Sequence, residues 1–358
     1  MKMIRLGDVA TYINGYAFKP EDRGVSGLPI IRIQDLTGNS YDIGYYDGAY
    51  PAKIEINNGD ILISWSASLG IYVWNRGKAL LNQHIFKVVF DKIEINRSYF
   101  VYAIRYKLEE MGLKSHGATM KHIIKKDFDE TKIPYLSLEM QQDIVARLDL
   151  VSNIANLRKK ELNNLDLIIK ARFVEMFGDP TLNPFGWRIK RFDEISENLD
   201  SRRKPITSSE RKEGIYPYYG ASGIVDYVED YIFDEDILLI SEDGANLLMR
   251  STPIAFSVSG KVWVNNHAHV VRFKDMSMQN YVEKYFSLID ITGSITGSAQ
   301  PKLNQSSLNA MLIPIPEKRL LDNYLDIVKQ VNKSKVVVQK ALDEAQTLFD
   351  SLMQEYFG

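Results

Sequence analysis

Two groups of basic residues, one in each half of the chain, have the chemistry needed to bind a polyanion. The first contains Lys121, His122 and Lys125, and the second is the run Arg202-Arg203-Lys204. Cationic side chains bind phosphate oxygens of any sequence, whereas arginine, amide and hydroxyl groups form hydrogen bonds that distinguish base edges. The residues expected to contact double-stranded DNA are Arg32, Gln34, Ser66, Lys121, His122, Lys125, Arg202, Arg203, Lys204, Tyr218, Tyr219 and Lys302.

The sequence contains no comparable set of residues for catalysis. Asn183-Pro184-Phe185 is similar to the Asn-Pro-Pro-Tyr loop of adenine methyltransferases, but it lacks the second proline and no glycine-rich turn for S-adenosylmethionine precedes it. Residues 293–297 have too few glycines, wrongly spaced, to hold a phosphate. We therefore expect no catalytic residue and no bound cofactor in this chain.

The histidines give no metal-binding pattern. His116 and His122 are six residues apart and no carboxylate cluster converges on them, so we expect no metal. Two Asn-x-His segments, 82–84 and 265–267, occupy matching places in the two halves. We interpret their histidines as imidazoles hydrogen-bonded at the edge of a strand.

Composition limits the class of protein. The chain has 358 residues, enough for two domains with separate cores, and its apolar and charged fractions are ordinary for a soluble protein. The absence of cysteine excludes disulfides and cysteine nucleophiles and fits a reducing cytosol. The first residues turn polar at once and no apolar run reaches membrane-spanning length, so we expect a cytoplasmic protein with no membrane partner. With a net charge of −2, DNA would be bound by local basic patches.

The elements that must position these residues occur twice. Residues 133–178 align without a gap with residues 313–358, at an offset of 180. Each copy opens on Ile-Pro, continues as a long helical pattern and ends on Phe-Gly. A repeat of this length indicates two globular domains, each followed by its own helix. The predicted segments are 1–136 (first domain), 137–178 (central helix), 179–316 (second domain) and 317–358 (C-terminal helix).

Apolar residues recur in both helices with alternating steps of three and four. A pattern held over several heptads is typical of a coiled coil. We therefore expect the two helices to pair antiparallel within the chain, the alternative being that each packs only on its own domain. The predicted seam contains Ile144, Leu148, Val151, Leu162, Leu165 and Ile169 in the first helix and Tyr324, Val328, Val331, Leu342, Phe349 and Leu352 in the second.

Both globular domains are predicted to be α+β. Strand-like stretches bounded by turn residues precede a helical pattern in each half, and the same order is kept. The predicted strands are 28–33, 59–65 and 83–90 before a helix at 96–111, and 237–241, 261–264 and 269–273 before a helix at 280–289.

Several segments resemble the specificity subunits of type I restriction-modification systems. Residues 133–145 are similar to that family's Ile-Pro-Leu-Pro-Pro-Leu-x-Glu-Gln-x-x-Ile-Val, with departures at Tyr135, Leu136, Ser137 and Met140. Residues 177–187 resemble the family's linker into its second domain, and 216–224 resemble its Tyr-Pro-Val-Tyr-Gly-Ala-x-Gly-Ile. Residues 117–123 and 297–304 are similar to two variants of one family loop. The resemblance covers essentially the whole chain.

The resemblance implies a function as well as a fold. The chain would be a non-catalytic DNA reader with two target recognition domains for a bipartite, asymmetric target. It would recruit two modification subunits, which hold S-adenosylmethionine and methylate adenine N6, and restriction subunits would join them. Two other classes stay open on the residues alone, a coiled-coil scaffold and a self-sufficient DNA methyltransferase or nuclease.

Overall fold

The computed structural model describes residues 2–114, 123–297 and 299–358, except for the side chains of residues 113 and 114. In the first half the elements are β1 (Met3–Arg5), α1 (Leu6–Val9), β2 (Thr11–Asn14), β3 (Leu28–Ile31), α2 (Ile33–Thr37), β4 (Tyr45–Tyr46), β5 (Glu55–Ile56), β6 (Ile61–Ser64), β7 (Gly70–Val73), β8 (Ala79–Leu81), β9 (Ile85–Val89), α3 (Arg97–Lys114), α4 (Lys125–Glu130), β10 (Lys132–Pro134) and α5 (Leu138–Phe177). Short 3-10 turns lie at Pro20–Asp22 and Ala52–Ile54.

The second half repeats this order closely. Its elements are β11 (Arg188–Arg191), α6 (Phe192–Ile195), β12 (Glu197–Asn198), β13 (Glu213–Gly220), β14 (Gly223–Val228), β15 (Phe233–Asp234), β16 (Ile237–Ser241), α7 (Asn246–Met249), β17 (Ala255–Val258), β18 (Lys261–Val264), β19 (Ala268–Arg272), α8 (Met276–Leu288), α9 (Gln305–Ala310), β20 (Leu312–Ile315) and α10 (Lys318–Phe357). Two 3-10 turns lie at Asp200–Arg202 and Thr292–Ser294. The α+β prediction is confirmed.

The chain divides into two compact units. Unit 1 contains residues 1–159 and 340–358, and unit 2 contains residues 160–339. Both divisions fall inside the long helices, so each unit holds one half of α5 and one half of α10. The sequence-based boundaries, which set each helix apart as its own segment, stay a prediction.

The two units contain the same pair of four-stranded sheets. In unit 1 the strand orders are β2-β9-β6-β7 and β4-β3-β8-β5, and in unit 2 they are β12-β19-β16-β17 and β14-β13-β18-β15. Among the strands that the structure describes, β3 pairs parallel with β8 in unit 1 and β13 pairs parallel with β18 in unit 2. A separate antiparallel pair, β1 with β10 or β11 with β20, ties the start of each domain to the segment before its long helix.

The central strands β6 and β16 explain how the cores are divided. Both are buried along their whole length, and neighbouring residues point to opposite faces because side chains alternate along a strand. In β6, Ile61 and Ile63 join the core under the helices, whereas Leu62 joins the core between the sheets. In β16, Leu238 and Leu239 divide in the same way.

The long helices pair antiparallel within each unit. In unit 1, Ile144 and Leu148 of α5 share a core with Met353 and Phe357 near the end of α10. In unit 2, Phe173 near the end of α5 packs against Tyr324 near the start of α10, with ring centroids 5.7 Å apart. The first half of one helix therefore meets the second half of the other, which confirms the predicted coiled coil.

The seam turns by one residue in the last turns of both helices. Continued to the end of α5, the three-four spacing of the apolar seam gives Arg172 and Met176. The residues that are buried there are instead their neighbours Phe173 and Phe177. In α10 the buried residues are likewise Met353 and Phe357, whereas Leu352 is half-buried. The reason is a new partner, since the phenylalanines pack on a tyrosine of the neighbouring helix, Tyr281 in α8 or Tyr99 in α3. A local heptad register cannot anticipate that contact.

Part of the seam within unit 2 is only half-buried. Leu162, Leu165 and Ile169 of α5 and Val331 of α10 retain part of their surface, and Lys335 of α10 forms an ion pair with Asp166 of α5 at 2.8 Å. Among the described residues, no helix is both long and apolar enough to cross a membrane.

Candidate nucleic-acid interface

Each unit carries an open groove beside its parallel strand pair. Groove 1, in unit 1, is lined by Arg32, Ile33, Gln34, Thr37, Asn39, Ala67, Ser68, Asn82, Gln83 and His84. Groove 2, in unit 2, is lined by Pro205, Ile206, Thr207, Arg211, Tyr218, Gly220, Ala221, Ser222, Val225, Asp243, Gly244, Ala245, Asn246, Asn265, Asn266 and His267. Both contain one of the two Asn-x-His segments found in the sequence.

The same backbone hydrogen bonds hold both Asn-x-His segments. At the first residue, Asn82 N donates to Ile31 O and Asn265 N donates to Tyr219 O, each at 3.0 Å. At the third residue, the carbonyl oxygen accepts from the chain that follows β6 or β16, over 3.2 Å for His84 and 2.9 Å for His267. The two grooves are therefore equivalent places in the repeated fold.

A second equivalent feature lies across each groove. The loop after β6 turns at Ala67 with a φ of 57°, and the loop after β16 turns at Gly244 with a φ of 103°. Both values lie in the left-handed region, which glycine adopts freely and alanine adopts at a steric cost. The turn is thus a property of the groove and is kept even where the residue is not glycine.

Arg203 and Lys302, both expected to bind DNA, take part in an ionic network in unit 2. The Arg203 guanidinium contacts Glu242 at 2.5 Å and Asp200 at 3.3 Å, and Lys302 contacts Glu242 at 3.0 Å. His269 is buried at the centre, with Nδ1 2.6 Å from Asp200 and Nε2 2.7 Å from the carbonyl oxygen of Leu303. Both ring nitrogens therefore lie within hydrogen-bonding distance of an oxygen atom.

This network holds its carboxylates ionised. Burial by itself would raise the pKa of Asp200, but the hydrogen bond from His269 and the charge of Arg203 outweigh it and the pKa is lowered. Burial acts on Glu242 in the same way, and the hydrogen bonds from Arg203 and Lys302 lower its pKa. Asp200, Glu242 and His269 bring potential metal ligands within 4.8 Å of one another. Arg203 and Lys302 already balance both carboxylates, so charge neutrality requires no cation.

The neighbouring basic residues differ in whether an acidic side chain already pairs with them. Arg202 forms an ion pair with Glu235 at 2.6 Å and lies over the ring of Phe233. Lys204 is exposed, and its ammonium group has no carboxylate partner among the residues described for unit 2. Of the three, Lys204 is the cation with the most freedom to bind a phosphate.

The two tyrosines expected to contact DNA lie in the sheet of unit 2. Tyr218 is 1% exposed, its hydroxyl accepts from Ile206 N at 3.0 Å, and the Arg211 guanidinium covers its ring. Tyr219 is half-buried and its ring contacts Phe256. Tyr218 lies almost enclosed at the base of groove 2, and its expected contact with DNA stays a prediction.

In unit 1 the residues expected to contact DNA differ in exposure. Arg32 forms an ion pair with the buried carboxylate of Asp35 at 3.1 Å, which fixes it at the start of α2. Gln34 is exposed on the wall of groove 1. Ser66 is 6% exposed, and its expected contact with DNA stays a prediction.

The first basic group is only partly within the described residues. Lys125 forms an ion pair with Asp129 at 2.7 Å, and its ammonium group lies over the rings of Tyr12 and Phe86. Lys121 and His122 lie outside the described residues. The DNA role of all three stays a prediction.

Sequence reasoning found the Asn-x-His segments but gave them only a structural role at a strand edge. For His267 that interpretation agrees with the structure, since its Nδ1 lies 2.9 Å from Asp243 Oδ2. For His84 it does not, because His84 Nδ1 is buried with no hydrogen-bond partner among the described residues. The middle residues, Gln83 and Asn266, were missed. The signal that could have found them is the match itself, because a polar residue kept between two matching frame residues in both repeats indicates an exposed position with a shared role.

The family profile of the type I restriction modification DNA specificity domain matches this chain twice, over residues 1–167 and 184–340. Over 127 residues the chain is 38% identical to a candidate type I restriction enzyme specificity subunit from Haemophilus influenzae, a match that covers 36% of this chain and 32% of that protein. It thus spans about a third of that relative's length.

Two further similarities cover nearly the whole chain. The specificity subunit of the type I restriction enzyme MjaVIII from Methanocaldococcus jannaschii is 22% identical over 395 residues, covering 97% of this chain and 91% of that protein. A solved structure described as the basis of complex assembly and conformational transition of the type I R-M system is similar in fold, with a TM-score of 0.59 at 16% identity, and the match covers 99% of this chain and 97% of that one. With both repeats matched by the family profile, the chain belongs to the DNA specificity subunits of type I restriction-modification systems.

Proposed function

We propose that this chain reads a bipartite, asymmetric DNA target, with unit 1 reading one half-site and unit 2 the other. The observation that carries the proposal is the pair of equivalent grooves, which share a backbone frame but differ in their side chains. The walls offer Gln34 and Ser68 in groove 1 against Ser222 and Asp243 in groove 2. Different donors and acceptors on one frame favour different bases at corresponding places.

Phosphate contacts would come from exposed cations close to each groove. Lys204 is adjacent to Pro205 on the wall of groove 2, and its ammonium group has no carboxylate partner among the residues described there. Such contacts hold the protein on the duplex without reading sequence. We propose the remaining predicted cations, including Lys121 and His122, as further contacts of this kind.

The helices would recruit two modification subunits. Leu157 and Val337 lie 180 residues apart at equivalent places, and so do Ile168 and Leu348, and all four are exposed. Unit 1 contains Leu157 and Leu348, and unit 2 contains Ile168 and Val337. Two matching sets of exposed apolar residues, one in each unit, favour two copies of one partner.

The catalytic work would belong to those partners. We propose that they bind S-adenosylmethionine and methylate adenine N6, that restriction subunits join the complex, and that this chain itself is not catalytic. The proposed complex acts in the cytoplasm. The exposed apolar residues on α5 and α10 support a protein partner, and the carboxylates around His269 are already paired with basic side chains.

The test uses the purified chain with and without its modification subunit. The complex should methylate adenine in a two-part motif with a fixed gap, identified by sequencing methylated genomic DNA. The chain alone should bind no S-adenosylmethionine in equilibrium dialysis and should transfer no methyl group. Methyl transfer by the chain alone would reject the non-catalytic role, and a complex that binds no DNA would favour a scaffold.

A further inference from the structure

The middle residue of each Asn-x-His segment has a carboxamide at the groove surface. In unit 1, Asn82 Oδ1 and His84 Nδ1 also lack a hydrogen-bond partner among the described residues, but both atoms are buried. Gln83 and Asn266 each lie on the wall of their groove, and Asn266 is exposed and Gln83 half-exposed. Within the described parts of the chain, neither carboxamide forms a hydrogen bond. Their backbones are held in place, since Gln83 N donates to Tyr16 O at 2.9 Å and the adjacent Asn265 N donates to Tyr219 O at 3.0 Å. Each groove therefore presents a carboxamide with no internal hydrogen bond, on a backbone that is fixed by hydrogen bonds.

Several other polar side chains of the groove walls are engaged within the protein. In groove 2, Asp243 contacts the His267 ring at 2.9 Å, and Asn246 Oδ1 accepts from Thr252 N at 3.0 Å. In groove 1, Arg32 is held by Asp35. A side chain that must release an internal partner pays that cost on binding, whereas Gln83 and Asn266 release none.

The chemistry of a carboxamide matches one base edge best. Its oxygen accepts from adenine N6 while its nitrogen donates to adenine N7, and this pair of bonds distinguishes adenine from the other bases in the major groove. Gln83 and Asn266 occupy the same place in the two repeats, so the same chemistry is offered once in each unit. The longer Gln83 side chain reaches one methylene further than Asn266.

We propose that Gln83 and Asn266 are specificity-determining residues, each forming hydrogen bonds with one adenine in the half-site read by its unit. This inference rests on the proposed function and adds to it a named base and a named residue in each half-site. It requires that each residue affect only its own half-site.

The test compares the methylated motif of the wild-type complex with those of the Gln83→Glu and Asn266→Asp variants. Each substitution keeps the size of the side chain and removes the donor to adenine N7. We expect the preference for adenine at one position to fall about 5- to 150-fold, in one half-site for Gln83→Glu and in the other for Asn266→Asp. Each variant is thus the matched control for the other.

The variants Gln83→Ala and Asn266→Ala provide a second test, in which no charge is added. They should relax the same two positions and leave the urea midpoint of the chain unchanged, because neither side chain has an internal hydrogen bond to lose. A wild-type motif from all four variants would reject this inference and leave the proposed function standing. Loss of methylation at every site in a stably folded variant would also reject it, since a base contact is not needed for general binding. A wild-type complex without a defined motif would reject the proposed function, and this inference with it.

Discussion

Beside their grooves, the two units have different kinds of side-chain contact. In unit 1, Trp65 stacks on Phe86 with ring centroids 5.5 Å apart and donates to Asn14 Oδ1 at 3.3 Å. In unit 2 the equivalents of Trp65 and Phe86 are Glu242 and His269, both part of the ionic network. The correspondence follows from the backbone, since the carbonyl oxygen of Trp65 accepts from Ile123 N at 2.9 Å and that of Glu242 accepts from Leu303 N at 2.8 Å.

This difference separates what the fold requires from what it tolerates. The strand order, the turn after the central strand and the hydrogen bonds of the Asn-x-His segments are the same in both units. The side chains below can be an aromatic stack or a set of ion pairs, because both fill the space and leave few polar groups unpaired. The repeat therefore keeps the backbone frame, and each unit has its own means of stabilising it.

The largest effect is expected where the units are most alike. Phe177 and Phe357 occupy equivalent ends of the helix pair, and each packs on a tyrosine, Tyr281 at 5.0 Å or Tyr99 at 5.2 Å. Phe177→Ala and Phe357→Ala should each lower the free energy of unfolding of their own unit by roughly 3–5 kcal/mol. The measurement is urea unfolding with hydrogen exchange resolved by unit. Strongly unequal losses would show that the two helix ends are not equivalent, and Leu157→Ala, at an exposed position, is the control.

The next effect should appear in unit 2 alone. Arg203→Met removes the guanidinium that contacts both Asp200 and Glu242, and it leaves two buried carboxylates with only His269 and Lys302 beside them. We expect a loss of about 2–3 kcal/mol, below the full cost of breaking a buried pair because these two partners remain. The neighbouring Arg202→Met breaks a more exposed pair and should cost less than about 1 kcal/mol. Equal losses in thermal unfolding of the two variants would contradict the central place given to Arg203.

Acid should separate the units further. The pKa values of Asp200 and Glu242 are lowered in the folded chain, so their contribution to stability is complete above their unfolded values and is lost as the pH falls through the lowered folded values. Asn14, Trp65 and Phe86 do not titrate in acid. Between about pH 5 and pH 2, unit 2 should therefore lose hydrogen-exchange protection before unit 1. The same order in an Asp200→Asn, Glu242→Gln double variant would assign the acid sensitivity to other groups.

The elements could be predicted from the sequence because their signals are local. The strand at 237–241 follows from a short apolar run bounded by turn residues, and the helix pair follows from side-chain periodicity. Both signals are defined by a few neighbouring residues. The sequence could not predict which side chains are already paired or enclosed within the protein, because their partners are distant in sequence. Arg203 looks as basic as Lys204, yet its partner Glu242 is 39 residues away. Tyr218 has a polar group typical of a surface, and only the fold reveals that it is enclosed.

The smallest effect should distinguish a free lysine from an occupied one within unit 2. Lys204 has no carboxylate partner among the residues described there, whereas Lys302 forms an ion pair with Glu242 at 3.0 Å. A free ammonium group that contacts phosphate releases about one counterion, so Lys204→Ala should reduce the slope of log affinity against log salt by about 0.9 for DNA of any sequence. Lys302→Ala should reduce it by less, because Glu242 already neutralises that charge. Binding isotherms of the complex across a range of salt concentrations measure both slopes. An unchanged slope for Lys204→Ala beside a full unit lost for Lys302→Ala would mean that Lys302 exchanges Glu242 for phosphate on binding, and that the ionic network of unit 2 opens when DNA is bound.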